Sequence, residues 1–151
     1  MAIVTLEELL ERARQFEERL TRCYAEIRDG CEDKGVRLLT YYLARHRRHL
    51  DEALAEFDPE QIKKIGNIQL KHDVDFDPGR ALELLERQPC DVTGQQLLDA
   101  AVEYDGALIE LYRSILRQPL SGEATALLEA LIRVEERDIV MLKKTMATHL
   151  F

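Results

Sequence analysis

Apolar side chains recur every three or four residues along four stretches of the chain, the spacing of one face of an α-helix. In the first stretch the stripe is Leu6, Leu9/Leu10, Ala13, Phe16, Leu20, Tyr24 and Ile27. Thr5 precedes it with Glu8 three residues on, a pair that can cap a helix entrance reciprocally, and Asp29-Gly30 favours a stop. The second stripe, Leu39, Leu43, Leu50, Leu54 and Phe57, predicts a helix over 36–57. Asp58-Pro59 ends it, because proline disfavours helical backbone at the residue before it. Leu98, Val102, Leu108/Ile109, Tyr112 and Leu116 predict a third helix, opened by a Thr93/Gln96 capping box and stopped near Gln118-Pro119. Ser121 caps the fourth, over 123–148, whose stripe is Leu127/Leu128, Leu131, Val134, Met141/Leu142 and Met146.

From 58 to 92 the periodicity weakens. Asp58-Pro59 suits a short turn and Asp77-Pro78 the start of a short helix over 81–87. KIGNIQLKHDVDF alternates like a strand, but one isolated strand has no partner to pair with. The segment as a whole reads as one long connection. Adjacent antiparallel helices need only ~2–8 linking residues, so this length predicts a crossover returning along the molecule. The expected architecture is all-α, a single domain of four helices with a long crossover between the second and third.

Charged groups interrupt the apolar stripes at matching places in the two halves. Glu17 precedes Tyr24 by seven residues, and Asp105 precedes Tyr112 by seven. Tyr24 lies 22 residues before His46, and Tyr112 lies 23 before Glu135. His46 and His49 share one helix face, as do Glu135 and Asp138. Each half is thus a helix carrying an acid and then a tyrosine, followed by a helix carrying two polar groups three residues apart.

This pattern resembles the ferritin-like superfamily, the carboxylate-bridged di-iron and di-manganese four-helix bundles, in which two helices give one Glu each and two give a Glu-x-x-His pair. By position, Glu17 and Asp105 match the single acids, while His46-x-x-His49 and Glu135-x-x-Asp138 match the paired motifs. The chain departs from the family in having His46 for a bridging Glu, Asp138 for a His and Asp105 for a Glu. The resemblance implies a metal site of Glu17, His46, His49, Asp105, Glu135 and Asp138, with Glu135 as the remaining bridge. It further implies Tyr24 and Tyr112 as hydrogen-bond donors behind the carboxylates. Mixed nitrogen and oxygen ligands suit Fe, Mn or Zn, as one ion or two. Oxidation of Fe(II), peroxide consumption or oxygen activation is the implied chemistry. The competing expectation is a metal-free core of His–carboxylate pairs in a non-enzymatic helical interaction module.

Composition narrows the setting. A net charge of -8 disfavours a nucleic-acid partner, despite the short basic run of Arg45, Arg47 and Arg48, which is expected on an outer face pairing with Asp51 and Glu52. No stretch approaches the ~20 apolar residues that cross a bilayer. The start has no signal-peptide pattern, and the three cysteines, Cys23, Cys31 and Cys90, show no CxxC spacing, which suits a reducing cytoplasm. They are expected to be ordinary buried or surface thiols. A homodimer is the expected assembly. His72, beside Asp73 and Asp75, is expected in a solvated loop, and His149 at a helix end.

Overall fold

The computed structural model describes residues 4–45, 49–74 and 76–148, with backbone alone for 49, 50 and 81. The described residues are mostly helical: α1 (Leu6–Gly30), α2 (Lys34–Arg45), α3 (His49–Ala55), α4 (Pro59–Gly66), α5 (Gly79–Arg87), α6 (Gly94–Leu116) and α7 (Gly122–Thr148). Two short strands, β1 (Val4–Thr5) and β2 (Gln69–Leu70), and a 3-10 turn at Pro89–Asp91 complete the order. No helix among the described residues is long and apolar enough to cross a membrane.

The long helices begin and end where side chains satisfy their orphan backbone groups. Thr93 Oγ1 accepts the Gln96 N–H at 3.1 Å while Gln96 Oε1 accepts the Thr93 N–H at 2.9 Å, closing the expected capping box of α6. At α1 only half of the expected box forms: Thr5 Oγ1 accepts the Glu8 N–H at 3.2 Å. Ser121 Oγ accepts the Ala124 N–H at 3.2 Å, as its capping role predicts.

The helix expected over 36–57 is present as α2 and α3, on either side of residues 46–48, which lie outside the described residues. It ends at Ala55, two residues early, because Asp58 is committed to the next element. Asp58 is extended, accepts the Glu60 N–H at 3.0 Å and completes a capping box with Gln61, so the expected short turn is a full helix, α4.

The strand-like run does find a partner. Val4 pairs with Leu70 and Thr5 with Gln69 in antiparallel register, and the Leu6 N–H donates to the Ile68 carbonyl at 2.9 Å. The partner lies just ahead of α1, in residues that read from the sequence only as a helix entrance. The rest of the connection is strapped to α1 by named contacts. Phe16 meets Phe76 edge-on at 5.2 Å, Arg12 pairs with Asp73 at 2.9 Å, and Arg19 donates from Nε to Glu86 Oε2 at 3.0 Å.

One apolar cluster runs through the molecule. It includes Leu9, Leu20, Tyr24 and Ile27 of α1, Leu39 and Leu43 of α2, Leu82 and Leu85 of α5, Leu98, Leu108 and Tyr112 of α6, and Leu127, Leu131 and Leu142 of α7. α6 packs most extensively on α7, α1 on α2, α3 on α7, and α5 against both α1 and α6. These pairings bring α1, α2, α6 and α7 around one interior point.

Candidate metal centre

Three carboxylates meet near that point. Asp105 on α6 and Glu135 and Asp138 on α7 offer oxygens that all lie within 4.8 Å of one another. Glu135 and Asp138, three residues apart, share a face of α7, and the close α6–α7 packing sets Asp105 opposite them. Asp105 and Glu135 are each only 1% exposed, and Asp138 is half-buried.

Beside the acids lies a cavity of about 10 Å³, lined by Leu20 and Tyr24 of α1, Tyr42 and Leu43 of α2, Ala101 and Asp105 of α6, and Asp138 and Leu142 of α7. That is room for a water-sized occupant and no more. Its walls come from all four helices, and apolar side chains supply half of them. Ionised carboxylates this close repel one another in a medium of low dielectric, so the arrangement favours a cation or a shared proton between them. The donor chemistry therefore fits a metal ion: hard oxygen ligands, negative charge and a space of ionic dimensions.

Not every residue expected at the site joins this group. Glu17 is half-buried on α1, where it lines a surface groove with Tyr41, Ala44, Arg45 and Asp51, and it is not a member of the three-residue cluster. His46 lies outside the described residues, as does the side chain of His49, which opens α3. Tyr24 lines the cavity, as its expected role requires. Tyr112 is equally buried but is not among the cavity's walls.

Tyr42 and Tyr104 were not expected near the centre. Tyr42 lines the cavity and precedes His46 by four residues in the sequence, a spacing that could have drawn attention to it. Tyr104, next to Asp105, is fully buried and donates its hydroxyl to the Ala13 carbonyl at 3.4 Å, tying α6 to α1. His72 is exposed on its loop, and its backbone is clamped by Gln118, whose amide accepts the His72 N–H at 3.1 Å and donates to its carbonyl at 2.9 Å. His149, Arg47 and Arg48 lie outside the described residues. Asp51, an expected partner of the basic run, pairs with Arg14 at 3.8 Å.

Away from the centre, one thiol is held in its protonated form. Burial, assisted by the negative charges of Glu86 and Glu26, pushes Cys23 up to about 11. The hydrogen bonds from Arg19 hold the Glu86 carboxyl below its ordinary value, and those from Arg12 do the same for Asp73.

Fold and site together define an all-α protein with a cluster of three acids in its interior. No protein-family model matches the chain, and no curated protein or solved structure matches it either.

Proposed function

We propose that the protein is a ferritin-like four-helix bundle whose interior holds a divalent metal ion on Asp105, Glu135 and Asp138. The observation that carries this proposal is the meeting of these three acids beside a cavity of ionic size, walled by four helices that sequence periodicity had already singled out. His46, His49 and Glu17 are the proposed completion of the ligand set, and imidazole nitrogens there select Fe, Mn or Zn over Mg or Ca. A redox-active ion bound here would supply oxidation of Fe(II), peroxide consumption or oxygen activation.

The chain's own residues set the conditions for such chemistry. Asp105, Glu135 and Asp138 provide the negative charge. The Tyr24 hydroxyl can donate to a carboxylate oxygen across the shared cavity, orienting it. Leu20, Leu43, Ala101 and Leu142 displace bulk water, and the small cavity admits water-sized reactants while excluding an organic substrate.

Elemental analysis of protein purified without a metal-chelating tag tests the proposal. One or two equivalents of Fe, Mn or Zn are expected, with affinity falling at least tenfold in Glu135→Gln and in His46→Ala. A protein that retains none of the three ions after reconstitution sinks it.

A second reading has its own observation. Leu38 and Tyr41 on α2 are 72% and 56% exposed, and Val140 and Met141 on α7 are also exposed. An interaction module, a homodimer in the simplest case, would cover such residues. It is favoured if the reconstituted protein stays metal-free and sediments as a dimer that Leu38→Glu or Met141→Glu dissociates.

A further inference from the structure

Cys31, just past the end of α1, and Cys90, in the 3-10 turn ahead of α6, line one open cleft of about 690 Å³ together with Gly30, Val36, Val92 and Gly94. The two segments approach closely. A Cβ placed on Gly30 would stand 3.1 Å from Cys90 Sγ, so the sulfur rests against the residue adjoining Cys31 in the chain. A larger residue at position 30 would press on that sulfur. Cys90 is exposed and Cys31 buried, and neither lies within an α-helix, the Cys31 N–H closing the end of α1 on the Ile27 carbonyl at 2.9 Å.

We propose that Cys31 and Cys90 are a dithiol pair that a low-molecular-weight disulfide converts into an intramolecular bridge, tying the end of α1 to the entrance of α6. The Cys90 thiolate, the accessible one, attacks a sulfur of the small disulfide and expels one thiolate, leaving a mixed disulfide. The Cys31 thiolate then attacks the Cys90 sulfur and expels the second. Two protein thiols are oxidised, one small disulfide is reduced to two thiols, and the two protons pass to the departing thiolates. Cys90 is exposed at this open cleft, where a tripeptide disulfide can reach it. Cys23, buried and held protonated, serves as the internal control that does not react. The bridge is independent of the metal proposal, since neither cysteine touches the acid cluster.

The test treats reduced full-length protein with excess oxidised glutathione, traps remaining thiols with N-ethylmaleimide and maps the peptides by mass spectrometry. The expected product has lost two hydrogens, carries a Cys31–Cys90 cross-linked peptide and retains Cys23 as a thiol. Cys31→Ser should stop at one glutathionyl adduct on Cys90, and Cys90→Ser should remain unmodified. Because Cys31 is buried and its variant can misfold, wild-type mapping and the exposed Cys90→Ser suffice for the decision. Wild-type protein that stops at the mixed disulfide, or that links Cys90 between two chains, overturns the proposal. Cys90→Ser protein with unchanged metal content separates this outcome from that of the metal site.

Discussion

At the scale of single residues, Cys23 makes a prediction whose sign follows from proton counting. Its thiol is pushed up from an ordinary 9.0 to about 11, so between those values the folded chain keeps a proton that the unfolded chain has lost. Unfolding then releases a proton, and stability falls as pH rises through that window, having been fully present below it. The urea midpoint of wild-type protein should therefore decline more between pH 8 and 11 than that of Cys23→Ala, narrowing the gap between them. Parallel curves would contradict the assignment. Phe16 and Glu17 show what sequence could and could not tell at this scale. Both fall at the edge of the α1 stripe, and a helix turns only ~100° per residue, so periodicity does not decide which faces the centre. Phe16 is committed to Phe76 of the crossover, a contact across sixty residues that no local pattern encodes. Asp105 and Glu135 were legible because each stands in the middle of an otherwise apolar stripe, and both are buried there.

Among the elements, α5 is the one whose attachment can be dissected. Leu82 and Leu85 are fully buried where it packs against α1 and α6, and Arg19 holds Glu86 at its rim. Leu85→Ala should cost about 2–5 kcal/mol, the range for truncating a buried leucine, measured by urea unfolding. The Arg19–Glu86 pair is partly exposed, so it orients the helix more than it stabilises the whole. Because Glu86 and Asp73 are held below their ordinary 4.5 and 3.8, their contribution is present above those values and lost as pH falls through and below them. Hydrogen exchange should show the amides of α5 losing protection in this acid range ahead of those of α6, and Glu86→Gln should flatten that response. The long helices α1, α6 and α7 could be read from their caps and stripes, because those signals lie within a few residues of each other. α4 was underestimated, since eight residues hold too few turns to display a period. The β1–β2 pair was missed because its two halves are separated in the chain by α1, α2, α3 and α4.

For the whole molecule, metal binding and folding are coupled if the central acids hold an ion. Adding the cognate ion at about 100 times its dissociation constant should raise unfolding free energy by ~2.7 kcal/mol, and Glu135→Gln should cut that increment to about half or less. Calorimetric scans with and without the ion check this, and an unchanged midpoint in the wild type counts against the site. The pairing of Val4 with Leu70 bears on the same cooperativity from another side. It ties the long span between the helical halves at its middle, turning one large ring of chain into two smaller ones. Closure entropy rises only with the logarithm of ring size, so each doubling costs about 0.6 kcal/mol. Lengthening either ring by a few glycines should thus barely matter, whereas removing Val4 and Thr5 merges the rings and leaves the span held to α1 from Asp73 and Phe76 onward.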